Sequence, residues 1–303
     1  MRLTLLILLL LAGCGRSDAP DAIWMTVGRE AGEVVYPRAI ACDRAHDWFY
    51  VIDRNARIQH LDRDGKTLST WDTPAWTNGK PTGCTVGPDG NLWVADTHYS
   101  RILVYAPTGE LLHQFGKEGD GPGEFRWPTD LAFDSAGRIY ISEYNGHDRI
   151  QVFAPFKPSD TALTPLFDFG RFGDEPGEFS RPQALAIRGD DLFVVDTCNH
   201  RIEVFGLDGT YRRMIGSVGG SPGQFRFPWG LDLDLAGNLI VTEYGGNRVQ
   251  KLSPDGTPIA TWGRNGVAPG ELLYPWSGVV DSTDRTVVID SGNNRLQVFR
   301  FGK

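Results

Sequence analysis

Cysteine, methionine and histidine are scarce in this chain, at four, three and six residues among 303. One cysteine, Cys14, lies at the end of an apolar leader. The other three, Cys42, Cys84 and Cys198, are an odd number and cannot pair completely, which excludes a disulfide framework. Long helical periodicity is missing as well. Beyond the leader no apolar run could cross a bilayer as a helix of ~20 residues. A basic excess is also absent: 30 Lys and Arg stand against 38 Asp and Glu, a formal charge of −8. That balance argues against nucleic acid, whose binders present a basic face. What the chain does have is 37 glycines, 19 prolines and many strand-forming residues, the mixture of an all-β protein.

The leader reads MRLTLLILLLLAGCG, with a positive charge at Arg2 and an apolar run from Leu3 to Leu11. The run has the length of a secretory core rather than of a membrane span. Leu11-Ala12-Gly13-Cys14 resembles the bacterial lipobox, whose cysteine becomes the acylated first residue of the mature protein. The resemblance implies a signal peptide over residues 1–13 and a lipidated Cys14 with a tether over 14–21. It places the protein in the bacterial cell envelope, lipid-anchored and extracytoplasmic, in the periplasm or at the cell surface.

The remainder is repetitive. Pro37, Pro81, Pro128, Pro182, Pro228 and Pro275 each open a short apolar stretch. An acid follows each proline, as Asp53, Asp96, Glu143, Asp196, Glu243 and Asp290, and an arginine follows each acid, as Arg57, Arg101, Arg149, Arg201, Arg248 and Arg295. The unit is roughly 46 residues long. It reads as four strands joined by turns such as DSAG and GPDG, where Asp and Gly reverse the backbone. The last unit stops after its third strand, while AIWMTVG near the start reads as a fourth. Residues 22–28 are therefore expected to complete the last sheet, which closes a six-bladed β-propeller of four-stranded antiparallel blades over residues 22–303 and leaves no open edge.

GPGEFRWPTDLAFDSAGRIYISEYNGHDRIQVF and EPGEFSRPQALAIRGDDLFVVDTCNHRIEVF resemble NHL repeats, with Asn199-His200-Arg201-Ile202 as the hallmark. The resemblance extends in register over all six units and implies a six-bladed propeller used as a ligand- or protein-binding platform. Some members of the family are enzymes, such as the peptidyl-hydroxyglycine lyases. The first and second units depart most, the second with PAWTNGKP in place of the Gly-Glu-Phe loop.

The repeated acid and arginine flank a tight loop between neighbouring strands, so an ion pair that orders the loop is the expected role. Cys198 and His200 occur in the fourth unit alone. Two residues apart on one loop, with nothing to orient a base, they make a poor nucleophile and base. Ligand-binding residues are sought after each proline, where the innermost strand begins at the channel mouth: Arg38, Thr82, Thr129, Gln183, Trp229 and Trp276, with Asp130 alongside. Lyase-like members of the family place zinc-binding histidines here, and none of these positions is histidine. No metal and no cofactor are therefore expected, and zinc chemistry wants about three protein ligands. Trp229, Trp276 and Arg38 could together hold a sugar, an apolar side chain or a peptide carboxylate; alternatively the two indoles simply fill the wide end of the channel. The expected function is a monomeric, membrane-tethered scaffold that binds an envelope protein or peptide, or a small ligand, through this face. The alternative is a lyase or hydrolase working in the channel mouth.

Overall fold

Six four-stranded antiparallel sheets make up the computed structural model, which describes residues 19–301. The expected signal peptide over residues 1–13 and Cys14 lie outside the described residues. Blade 1 runs through Ala39–Asp43, Trp48–Ile52, Arg57–Leu61 and Thr67–Asp72. Blade 2 uses Gly83–Val86, Leu92–Asp96, Arg101–Tyr105 and Leu111–Phe115. Blade 3 uses Pro128–Phe133, Ile139–Glu143, Arg149–Phe153 and Pro165–Phe169. Blade 4 uses Pro182–Arg188, Asp191–Asp196, Arg201–Gly206 and Tyr211–Ile215. Blade 5 uses Pro228–Leu233, Leu239–Glu243, Arg248–Leu252 and Pro258–Trp262. Blade 6 joins Gly278–Val280, Thr286–Asp290 and Arg295–Phe299 to Ala22–Trp24 from the other end of the described chain.

The closing strand pairs Ala22 with Val298, Ile23 with Gln297 and Trp24 with Leu296. It is shorter than residues 22–28 because Met25 takes a left-handed backbone, φ 65°. Thr26–Val27 then turns away and pairs in parallel with Glu33–Val34. The innermost strands of neighbouring blades pack on one another all round the ring, blade 6 on blade 1 included.

Second strands are buried along nearly their whole length because both of their faces are covered. Leu92–Asp96, Ile139–Glu143, Leu239–Glu243 and Thr286–Asp290 are buried throughout. The core is divided into clusters between adjacent blades. Phe193 and Val195 of blade 4, for example, meet Leu231, Leu239 and Val241 of blade 5. The loop before each blade inserts one apolar residue into these seams: Val34, Phe125, Phe179, Phe225 and Leu272 are fully buried. Blade 2, whose loop differs, contributes no such plug. In the DSAG turn Asp134 accepts the N–H groups of Ala136 and Arg138, and Gly137 supplies the φ of 82° that reverses the chain. Among the described residues no helix is long and apolar enough to cross a membrane.

Candidate functional site at the channel mouth

In every blade the acid that ends the second strand meets the arginine that starts the third. The closest contacts are 3.0 Å for Asp53–Arg57, 2.7 Å for Asp96–Arg101, and 2.8 Å for both Asp196–Arg201 and Asp290–Arg295. Glu143–Arg149 and Glu243–Arg248 pair in the same way. The acids are buried, so these are desolvated pairs that need further hydrogen bonds to persist. They find them in the loop that carries the plug. Glu243 accepts the Arg226 N–H at 2.8 Å, and Arg248 donates to the Gln224 carbonyl at 2.8 Å. Gln59, Gln151, Gln250 and Gln297, two residues after the arginine, donate to the same loops. Blade 4 has Glu203 at that position. It accepts the Gly177 N–H at 3.1 Å, and burial raises its carboxyl to about 7.

Blade 2 lacks the loop, and its pair is left incomplete. Asp96 Oδ1 and Arg101 Nη2 are buried with no partner among the described residues. Burial lifts the Asp96 carboxyl to about 6 against the pull of Arg101.

Two of the residues after the prolines, Thr82 and Thr129, act as pins between blades. Thr82 shares a hydrogen bond of 2.7 Å with Thr97 of its own blade and donates to the Thr129 carbonyl at 3.5 Å, and Thr129 donates to the Pro182 carbonyl at 2.6 Å. Gln183 is buried and accepts from Arg181 Nε at 3.1 Å. Thr197 and Ser291, just after their acids, pin the next blade by donating to the Pro228 and Pro37 carbonyls at 2.8 and 2.6 Å. Thr129 is fully buried and does not line the channel.

The other three gather as expected. Trp229 and Trp276 meet edge to face with ring centroids 4.9 Å apart, and the Arg38 guanidinium lies 5.2 Å over Trp276. The indoles are only 9% and 7% exposed and also pack into the cluster between blades 6 and 1. They are both wall and core. Below them runs a cavity of about 410 Å³ along the inner strands, down to Arg44 and Gly87. Asp130 and Asp232 face it. Asp130 accepts the Leu185 N–H at 2.9 Å and Asp232 the Val280 N–H at 2.7 Å, so each caps an amide on the open edge of the next blade's inner strand. Protein surrounds both groups, although each keeps some surface open to the cavity. Burial pushes Asp130 up to about 7; it also raises Asp232, against the pull of Arg44 at 3.0 Å.

A second ring was missed in the sequence. The residue before each proline is Tyr36, Lys80, Trp127, Arg181, Phe227 or Tyr274. Five of these take left-handed backbones, with φ of 47°, 42°, 64°, 48° and 49° for Tyr36, Trp127, Arg181, Phe227 and Tyr274. Such conformations cost of order 1–3 kcal/mol each for residues with a Cβ, and persist where the surroundings over-determine them. Here the preceding blade supplies the restraint. Asn294 accepts the Tyr36 N–H at 2.8 Å, Asp148 that of Arg181 at 3.0 Å and Asn247 that of Tyr274 at 2.7 Å. His200 Nδ1 accepts that of Phe227 at 2.9 Å. These acceptors all occupy the place just before the repeated arginine. His200 is thus a clamp between blades, and among the described residues no hydrogen bond joins it to Cys198.

The ring encloses an aromatic bowl. Tyr244 lies 4.9 Å from Trp229, and Tyr36 and Tyr244 share a hydrogen bond of 3.2 Å between their hydroxyls. Arg181 sits 4.4 Å over Trp229 and 4.7 Å over Tyr144. No group of three or more His, Cys, Asp or Glu that could hold a metal is present among the described residues. Cys42, Cys84 and Cys198 are free thiols, each held up by burial.

Residues 125–153 and 179–205 match the family described as NHL repeat. The chain is 30% identical over 177 residues, 54% of its length, to peptidylglycine alpha-amidating monooxygenase of Rattus norvegicus, of which the match covers 16%. It is 27% identical over 176 residues to gluconolactonase of Zymomonas mobilis, covering 54% of this chain and 49% of that one. The match thus spans less than half the length of either relative. A solved streptogramin B lyase shares the fold with a TM-score of 0.62 at 13% identity, covering 91% of this chain and 96% of the lyase.

Proposed function

We propose that this NHL propeller is a binding platform whose working surface is the channel mouth, held outside the cell membrane by a lipid on Cys14. One observation carries the reading. The mouth concentrates strained aromatic residues, guanidinium groups and the buried unpartnered donors of Arg38, Trp229 and Trp276 in one bowl. Strain that the surroundings must hold in place points to use, and a concave aromatic site with a few convergent polar groups is what ligands and peptide anchors occupy. Crosslinking in cells, followed by mass spectrometry, tests this. The wild type should capture an envelope partner that a Trp229→Phe, Trp276→Phe, Arg181→Gln variant does not. Equal capture by both would place the working surface elsewhere. The tether has its own test: Cys14→Ser should abolish incorporation of radioactive palmitate.

A second reading, a lyase or hydrolase acting in the channel, is favoured by Asp130. A carboxyl titrating at about 7 beside a cavity of about 410 Å³ is suited to moving a proton at neutral pH. Relatives in sequence and fold include a gluconolactonase and a streptogramin lyase. Turnover of a sugar lactone that vanishes in Asp130→Asn would establish this reading; activity indifferent to that change would remove it.

A further inference from the structure

The mouth also says what kind of ligand it is built for. Three of its buried nitrogen donors, Arg38 Nε, Trp229 Nε1 and Trp276 Nε1, have no acceptor among the described residues. Leaving a buried donor unpaired is unfavourable. Trp229 and Trp276 line the cavity and Arg38 lies over Trp276, so the three together mark where an acceptor group is missing.

The charges agree. In a chain of formal charge −8, the mouth is locally inverted. Among the described residues Arg38, Arg54 and Arg181 form no ion pair. They also repel one another: burial lowers the Arg38 pKa, and Arg54 and Arg181 lower it further. His98, at the same rim, is lowered by burial and by Arg38, Arg181 and Lys80. The carboxylates around them are already engaged: Asp148 accepts the backbone N–H of Arg181, and Asp130 and Asp232, on the cavity below, accept those of Leu185 and Val280. Cations gathered without counter-charges attract an anion from solution. The walls are flat rings, Trp229, Trp276, Tyr244 and Tyr36, which favour a planar or apolar body.

Resting on the reading of the mouth as a binding site, we propose that its ligand carries a carboxylate on a flat apolar body. The carboxylate sits on Arg38 and the two indole N–H groups, and Arg181 covers the body. One guanidinium and two neutral donors suit the two oxygens of a singly charged group better than the three of a doubly charged phosphate.

The test is isothermal titration of the purified full-length protein with phenylacetate, its neutral isostere phenylacetamide, and inorganic phosphate. Phenylacetate should bind saturably and at least tenfold more tightly than either of the others. Arg38→Gln should weaken it about tenfold or more, the effect of losing one charge-assisted hydrogen bond. Among the described residues the Arg38 side chain makes no hydrogen bond, so this variant should fold; the Trp229→Phe, Trp276→Phe variant, which keeps an aromatic ring at each position and removes both donors, should show a similar weakening. Glycyl-phenylalanine and its amide identify the source. Tighter binding of the free dipeptide than of phenylacetate points to a peptide terminus, and weaker binding to a small free acid. Phenylacetamide or phosphate binding as well as phenylacetate, an unchanged Arg38→Gln, or no saturable binding of any acid would overturn the inference. If the neutral amide binds through the same tryptophans, or partner capture still depends on them, the mouth remains the site and only the carboxylate falls.

Discussion

His200 Nδ1 accepts the backbone N–H of Phe227 at 2.9 Å, from blade 4 to blade 5. Blades 5 and 6 use Asn247 and Asn294 for the same contact with the blades that follow them. His200→Asn should therefore leave stability near wild type, while His200→Ala should cost about 1–2 kcal/mol for an amide left unpaired. The bond needs an unprotonated Nδ1. Burial lowers the His200 pKa below its ordinary value. A lowered folded pKa means that the unfolded chain binds the proton first, so stability is full above about 6.5 and falls as pH drops below it. Urea midpoints between pH 8 and pH 5 should show this extra loss in the wild type relative to His200→Asn. Parallel curves for the two would remove His200 from the clamp.

Asp96 supplies the opposite slope. Its carboxyl rises from 3.8 to about 6 on folding. The folded state then holds more protons than the unfolded one between these values, so the Asp96 contribution declines as pH rises through that window. Asp96→Asn should flatten the wild-type curve between about pH 4 and 6. An unaltered slope would mean that the carboxyl is solvated after all.

The propeller was legible in the sequence because its signals are local and repeated. Prolines, turn glycines and the acid–arginine spacing recur in every unit, and a missing fourth strand at one end matched a spare one at the other. The mouth was only half legible. Counting from the prolines brought Arg38, Trp229 and Trp276 together and put Thr82 and Gln183 on the cavity wall, but Thr129 at the equivalent position proved to be a pin between blades. Which way a side chain points depends on the neighbouring blade, and one unit read alone does not contain that neighbour. The ring before the prolines escaped for another reason. Its mark is a left-handed backbone, and residues such as Tyr36 and Trp127 carry no turn signal that betrays it; a residue before proline is ordinarily read as extended. The clamps Asp148, His200, Asn247 and Asn294 stood in one column of the repeat, yet their different chemistries hid a single job, accepting an N–H.

Trp229 and Trp276 are packed deeply enough that alanine tests stability before it tests binding. Either Trp→Ala should cost about 3–5 kcal/mol by opening a cavity, whereas Trp→Phe should cost far less. Chemical denaturation measures both. An alanine variant unfolding at the wild-type midpoint would show the indoles to be loosely held.

Ring closure rests on three residues. Removing everything before Met25 strips the partner from Arg295–Phe299 and uncovers the buried face that Trp24 fills against Phe49, 5.3 Å away. An exposed edge of this kind recruits other strands. The truncated protein should melt well below the intact one and elute from size exclusion as larger species. A monomer of unchanged melting temperature would show that five complete blades and a three-stranded sixth suffice.

The repeated ion pairs should differ in worth by what else each arginine holds. Arg248 joins Glu243 to the carbonyls of Gly220, Ser221 and Gln224. Arg101 pairs with Asp96, and beyond it its side chain, among the described residues, hydrogen-bonds Gln114 and lies over the Tyr99 ring, with no backbone carbonyl of a plug loop to hold. Removing one partner of a buried pair strands the other charge, at about 3–5 kcal/mol. Arg248→Met should reach that range and also release the loop around Phe225, visible as faster amide exchange at Gly223 and Phe225. Arg101→Met should cost clearly less, because the Asp96 carboxyl titrates near 6 and can take up a proton instead of remaining charged. Equal losses from the two variants would mean that the pair itself, and not the loop it secures, carries the stability.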